Sequence, residues 1–440
     1  MYCRRLRPTV CALLAAAVGL LSTSTSGLAD DWPQWRGPQR DGVWRETGIT
    51  DHFDGPKLKL RWSLPIAGGY TGPTVADGRV YVMDRITEPA ERERVLCFNW
   101  TDGAPLWSHE YDCKYTIEYR AGPRASVTID ESRAYALGSM GHLNCLDAAT
   151  GEVLWKKDPV ADFQTKVPIW GVAGSPLVEG DLLVVMAGGP DGRCVVALDK
   201  RTGELRWAAV DDALGYSTLM IATQAGRRVL VCWTEKKLSG LDPATGEIFW
   251  ESPFIPKRWA DQIITPQQHK DRLFVSSFAD GCLMLKLRED RPAVEELWRR
   301  GGRDERNTDA LHILMGNPVI TDDYIYGVDS YGEFRCITAA AGDRIWEDKT
   351  ITTQTRWGTA HMVVQGERVW VFNDAGELIL ARLTPKGFET ISRAQLLKPT
   401  RGQLNKRDGV TWSHPAFAYK HIFNRNDEEL VCASLAAEDH

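Results

Sequence analysis

Ala197-Leu-Asp-Lys-Arg-Thr-Gly-Glu-Leu-Arg-Trp207 is the stretch on which the fold turns. Its Ala, Asp, Thr, Gly and Trp stand at relative positions 1, 3, 6, 7 and 11. Gly240, Asp242, Thr245, Gly246 and Trp250 repeat that spacing, as do Cys145, Asp147, Thr150, Gly151 and Trp155. Fainter copies run Cys97-Asn99-Gly103-Trp107, Cys336-Thr338-Gly342-Trp346 and Ala381-Gly387-Ile391. A fixed period of this kind marks stacked supersecondary units rather than one irregular domain.

The Trp position falls at Trp62, Trp107, Trp155, Trp207, Trp250, Trp298 and Trp346, and last at Ile391, with spacings between 43 and 52 residues. Propeller blades of four strands have a period of about 40–50 residues. The segments before each phrase read as short strands. Arg79-Val-Tyr-Val-Met83, Arg94-Val-Leu-Cys-Phe98, Asp181-Leu-Leu-Val-Val-Met186 and Arg193-Cys-Val-Val-Ala-Leu-Asp199 are rich in β-branched and aromatic residues and bounded by turn formers. Within the phrase the Asp side chain can bond turn amides, and the Gly supplies a positive φ. The Trp opens the outermost strand and lies against the neighbouring blade, its indole N–H seeking an acceptor. Most of the 17 Trp therefore read as structural.

The ends settle the count. Trp412 to Ala437 offers three strands, around Ala416-Phe-Ala418, His421-Ile-Phe423 and Leu430-Val-Cys-Ala-Ser-Leu435, and then the Trp strand is missing. Leu58-Lys-Leu-Arg-Trp62-Ser-Leu64 is a Trp strand with nothing before it. Each completes the other and removes two open edges. The expectation is an all-β, eight-bladed propeller over 58–437, closed by the N-terminal strand, after an extension over 30–57.

Residues 1–29 read as a cleaved signal peptide. Arg4, Arg5 and Arg7 precede an apolar stretch from Val10 to Leu21, and Gly27-Leu-Ala29 offers a small-residue cut site. No lipid-attachment Cys follows the apolar stretch, so secretion or the periplasm is expected, with no membrane span in the mature chain. The formal net charge is −6, and no basic block is present, which argues against nucleic acid as a partner. Cys97, Cys145, Cys336 and Cys432 share position 1 of the repeat and read as small core residues too far apart for disulfides. Cys113, Cys194, Cys232 and Cys282 are left open, and the absence of a C-x-x-C pair points away from structural zinc.

The repeated phrase resembles the tryptophan-docking repeat of the quinoprotein alcohol dehydrogenase-like propellers. That superfamily contains enzymes using pyrroloquinoline quinone (PQQ) and non-catalytic BamB-like members. The opening Asp31-Trp-Pro-Gln-Trp-Arg-Gly-Pro38 resembles the start of secreted PQQ-like repeat proteins of planctomycete bacteria. The enzyme branch implies a disulfide between adjacent cysteines, a Glu–Asn–Asp calcium set and an Asp base. This chain has no Cys-Cys pair, and no such set matches position by position. The resemblance therefore implies the fold without carrying over the activity. No catalytic residue and no metal ligand is assigned, and no cofactor is expected, with PQQ and calcium as the alternative.

The connectors between blades carry aromatics and charges. Tyr70, Tyr119, Trp170, Tyr216, Trp259, His312, Trp357 and Trp412, with Arg120, Asp261, Arg356, His361 and His414, are expected around one channel mouth. Arg124, Arg258, Lys166, Arg401 and Lys406 are charged neighbours. Two readings stay open: rings that seal the channel, or a ligand cup with an aromatic wall. The first functional expectation is a monomeric, exported, non-enzymatic propeller that binds a protein, peptide or carbohydrate. The second is a PQQ- and calcium-dependent dehydrogenase of alcohols or sugars.

Overall fold

The computed structural model describes Met1, residues 30–404 and residues 408–440. The expected signal peptide and Lys406 lie outside them. Among the described residues, eight four-stranded antiparallel sheets form the blades of a propeller. Blades 1 to 7 are continuous in sequence, from 74–112 through 128–157, 177–209, 220–253, 267–300 and 319–348 to 360–395. Blade 8 joins Ala416–Ala418, His421–Arg425 and Glu429–Ser434 to Leu60–Pro65 from the other end of the chain. Trp62 pairs there with Cys432 and Ser63 with Val431. The ring closes as the sequence requires.

The docking phrase works as a latch. Asp147 Oδ1 accepts from the backbone N–H of Ala149 and Thr150, and Asp199 and Asp242 do the same in their turns. Asn99 takes this role in blade 1, accepting from Thr101 N–H at 2.8 Å, so the apparent glycosylation sequon is a docking turn. Six indoles lie on the turn of the next blade. Trp107 Nε1 donates to Ala148 O at 3.1 Å, and Trp62, Trp155, Trp207, Trp298 and Trp346 make the equivalent bond to the following blade. Gly151 has φ +75°, and a Cβ there would come within 2.6 Å of the Trp107 ring. Glycine is needed both for the turn and for the stacked indole.

Trp250 departs from the rule for a physical reason. The next blade replaces the docking turn with Arg288-Glu-Asp-Arg-Pro-Ala293, which has no Asp–Thr–Gly phrase to receive an indole. Trp250 instead folds back over Gly240 in its own blade and donates to Gln224 Oε1 at 3.0 Å. Gln224 passes the link on through its Nε2 to Ala293 O at 2.5 Å. A Cβ at Gly240 would lie 2.2 Å from Trp250 Cε2. Gly240→Ala is therefore expected to evict the ring and lower stability by about 1–3 kcal/mol, as overpacking does. A shift of the urea midpoint checks it, and an unchanged midpoint would contradict this role.

All eight described cysteines are buried and free. That resolves the four left open by the sequence. No helix among the described residues is long and apolar enough to cross a membrane.

The extension over 30–57 is the feature with most bearing on function. It runs across the channel instead of lying outside the ring. Trp32 exchanges backbone bonds with Val75 in blade 1, and Pro33 O accepts from Ile129 N in blade 2. Trp44 N donates to Val364 O in blade 7, and the Glu46 carboxylate receives the amides of Tyr419 and Lys420 in blade 8. This strap bars one end of the channel and sets a floor beneath the other.

Candidate functional site

The connectors from outermost strands to the next innermost strands gather at the mouth opposite the strap. Six of them place a ring there: Tyr70, Tyr119, Trp170, Tyr216, Trp357 and Trp412. Their contacts are continuous. Trp170 lies 5.0 Å from Tyr216 and 6.4 Å from Tyr119, and Tyr119 lies 6.1 Å from Trp357 and 6.4 Å from Trp412. The rings wall a cavity of about 190 Å³. That is near the size of an engineered apolar cavity that takes up benzene. Ile263, Leu314, Met315 and Ala173 complete the apolar lining, with Ser175 and Thr218 the small polar members.

The floor is Trp35 of the strap, whose Nε1 donates to Thr265 Oγ1 at 2.8 Å. Its ring meets His414 edge-on at 4.3 Å, and His361 lies 6.5 Å away. Both histidines are buried. Gly72 N–H donates to His414 Nε2 at 3.1 Å, which leaves the ring proton on Nδ1. His361 Nε2 donates to Trp412 O at 2.9 Å. Burial lowers His361 to about 4, against the help of that carbonyl. Burial, and then His361, hold His414 well below the usual histidine range. The floor is neutral at pH 7.

Among the described residues one permanently charged cation, Arg124, lines the cup. Arg124 stacks over Tyr70, with its guanidinium carbon 4.9 Å from the ring centre. Its nitrogens are engaged with backbone carbonyls of Glu118, Tyr119 and Gly122 and with Ser139 Oγ. Burial lowers its pKa. Among the described residues no carboxylate lines the cavity.

The wall is held with backbone strain. Tyr119 and Trp357 have φ of +54° and +69°. Bulky residues avoid this region, at a cost of about 1–3 kcal/mol each, and such strain concentrates at ligand clamps and switches. Gln403 supports the opposite side: its Oε1 accepts from Trp412 N at 2.7 Å, and its carbonyl accepts from Tyr70 OH at 2.9 Å.

Of the residues expected at this mouth, Tyr70, Tyr119, Trp170, Tyr216, Trp357, His361, Trp412 and His414 converge on the cavity, and Arg120, Trp259, Asp261, His312 and Arg356 do not. Arg120 is exposed and donates to Ile117 O. Asp261 is buried and holds its connector through Ser277 Oγ and Ala279 N–H; burial raises it to about 7. That anchoring leaves Trp259 exposed and turns Ile263 inward. His312 is consumed in bridging Gly302 N–H to Phe278 O, so Leu314 and Met315 face the cup instead. Arg356 stands behind the wall, stacked 4.6 Å over Trp357 and paired with Glu305 at 2.6 Å. The cup is thus less charged than the connector sequences suggest.

Trp35 is the lining residue that the connectors could not reveal. Its signal was present in Asp31-Trp-Pro-Gln-Trp-Arg-Gly-Pro38, a distinctive phrase outside the repeat. The strap's other side faces a polar vestibule of about 730 Å³ that includes Arg36, Arg40, Asp130, Glu179 and Arg228.

The family model described as outer membrane protein assembly factor BamB matches residues 91–348. The BamB of Shewanella oneidensis is 23% identical over 305 residues, covering 67% of each chain. A quinoprotein ethanol dehydrogenase of Pseudomonas putida is 27% identical over 240 residues, covering 49% of this chain and 36% of the relative. The chain spans about a third or less of the length of the first curated dehydrogenases it matches, 28% and 36%. Among solved structures, the quinohemoprotein alcohol dehydrogenase of Comamonas testosteroni superposes with a TM-score of 0.61 at 13% identity, over 92% of this chain and 80% of that one. At that identity the likeness is one of fold alone.

Proposed function

The chain belongs to the family of the outer membrane protein assembly factor BamB, and from that premise we propose that it is an exported binding protein without catalysis. Its ligand is a partner protein or peptide that inserts one ring-sized apolar group into the aromatic cup. The observation that carries this reading is the cup's composition among the described residues: seven aromatic rings including Trp35, one guanidinium already spent on carbonyls, and no carboxylate. Wet, directional ligands such as a free sugar need hydrogen-bonding groups on the wall, and Ser175 and Thr218 are the small ones available. A side chain such as Phe, Tyr or Leu needs only the rings and the volume. Three exposed apolar residues on connectors, Ile169, Ile255 and Trp259, would extend the contact outward.

The quinoprotein alternative asks for several cations around a tricarboxylate and for carboxylate or amide oxygens on a calcium ion. The residues of this cup do not fit that group. We assign PQQ and calcium no place in it.

The test uses two arms. Incubation with PQQ and calcium is expected to give no dye reduction with alcohols or sugars above a blank. Indole and phenol, as stand-ins for a ring-bearing side chain, are expected to quench tryptophan fluorescence. Ala173→Leu, which fills the cavity without removing a ring, is expected to weaken that binding at least tenfold. Dye reduction, or binding indifferent to Ala173→Leu, would overturn the proposal.

A further inference from the structure

A second cluster lies at the seam between blades 1 and 2, outside the cup. Glu93, on the strand Arg92–Asn99, is fully buried. Cys113 follows the strand Pro105–Asp112, and His142 occupies the turn between Arg133–Leu137 and Leu143–Asp147. The ligand atoms of the three all lie within 4.8 Å of one another. Cys113 Sγ is 3.8 Å from His142 Nδ1.

Glu93 is the unusual member. A buried carboxylate is ordinarily neutralised by a paired cation or a metal ion. Arg85 is committed to Glu91, and Arg124 to the cup carbonyls. Among the described residues no Lys, Arg or His forms an ion pair with Glu93. Its support is instead a set of neutral donors: Tyr111 OH at 2.6 Å, Tyr115 OH, Ser139 N–H at 3.0 Å and the Cys113 thiol. A carboxylate has about four lone-pair sites, and the fourth faces the Cys113 thiol, which hydrogen-bonds to it. The surroundings are shaped around it, since a Cβ at Gly138 would fall 2.0 Å from Glu93 Oε2. Hydroxyl and amide donors that fix a carboxylate are what surrounds a ligand in metal sites.

We propose that Glu93, Cys113 and His142 form a binding site for a thiophilic divalent cation of the zinc type. Thiolate, imidazole and carboxylate are together a zinc donor set, and three protein ligands leave a fourth position for water. Binding displaces the thiol proton of Cys113 to solvent and forms the metal–sulfur bond, with no change of oxidation state. Tetrahedral zinc with its usual bond lengths sets ligand atoms about 3.5 Å apart, so ligand atoms that lie within 4.8 Å of one another close by about 1.3 Å at most. His142 is half-buried and provides the way in. The three positions lie 20 and 29 residues apart, which is why no motif announced them. The ion would rivet two blades together beside Ser139, which also holds Arg124 of the cup.

Cobalt(II) is the probe, titrated into the chelator-treated, reduced full chain. One equivalent is expected to produce a thiolate-to-cobalt band in the near ultraviolet with visible bands of four-coordinate cobalt, and zinc is expected to bleach both. Cys113→Ser is expected to abolish the near-ultraviolet band. His142→Ala, a milder change at the entrance, is expected to weaken cobalt binding at least tenfold. Absence of the band in the wild-type chain at equimolar cobalt overturns the proposal. So does its persistence in Cys113→Ser, or an unchanged affinity in His142→Ala. The readout does not involve the cup, so its failure leaves the proposed function standing.

Discussion

Deleting residues 30–65 is expected to make the protein aggregate, and supplying the same segment as a separate peptide is expected to reverse the aggregation. The segment carries the strand Leu60–Pro65 that completes blade 8, and the strap that crosses the channel. It buries Trp32, Trp44, Leu58 and Trp62, which belong to one apolar cluster with Ile66. Burying a large apolar side chain is worth about 1.5–3 kcal/mol, so four of them approach about 10 kcal/mol, comparable to the whole stability of a typical domain. The loss is also local and exposing. Glu429–Ser434 becomes an open edge whose Leu430, Val431, Cys432 and Ala433 are all buried in the intact ring, and unpaired apolar edges aggregate. Arg425 adds a second tie at this joint. Fully buried, it donates to Ala67 O and Met83 O of the neighbouring segment and blade and to Asn426 O. Size-exclusion chromatography and circular dichroism decide the matter. A truncated chain that elutes without aggregates and with an unchanged spectrum would mean that the ring does not depend on its terminal strand.

The sequence made the scaffold legible because the propeller repeats a local rule. Asp147 and Asp199 bind their own turns, Gly151 accommodates a ring, and Trp107 reaches one blade onward. Each of these contacts has a fixed spacing, so the period, the blade count and the shared closure could be read from residue order. The cup was half legible. Tyr70, Tyr119, Trp170, Tyr216, Trp357 and Trp412 converge because their connectors start and finish at equivalent points on successive blades. The misplaced members failed for individual reasons that spacing does not encode. His312 found Gly302 N–H and Phe278 O, Asp261 found Ser277 and Ala279, and Arg356 found Glu305. Trp35 was invisible as a floor because it comes from outside the periodic region, and the Glu93–Cys113–His142 cluster because its members meet only across a blade seam.

His361→Gln is expected to flatten the acid side of the stability profile relative to the wild type. His361 is held at about 4 in the folded chain, chiefly by burial, against the ordinary 6.5. The folded form therefore stays neutral between these values while the unfolded chain takes up a proton. A lowered histidine pKa contributes stability that is fully present above about 6.5 and is lost as the pH falls toward 4. At about 1.36 kcal/mol per pH unit, the loss approaches roughly 3 kcal/mol over the window. His414, held well below the usual histidine range by burial and then by His361, pulls in the same direction. Asp261 opposes both. Burial raises it to about 7, so the folded form keeps a proton that the unfolded chain has released, and stability is lost as the pH rises from about 4 to 7. The wild-type curve is a partial cancellation and cannot isolate either group, whereas differences between variants can. Glutamine keeps an N–H donor for Trp412 O but has no proton to gain, so the urea-derived stability of His361→Gln should rise relative to wild type on going from pH 7 to pH 4.5. Asp261→Asn should move the other way, gaining on wild type as the pH rises through the same interval. Parallel curves for wild type and His361→Gln would show that the histidine on the cup floor is solvated rather than sealed beneath Trp35, and the dry, ring-sized pocket on which the proposed binding mode depends would be lost with it.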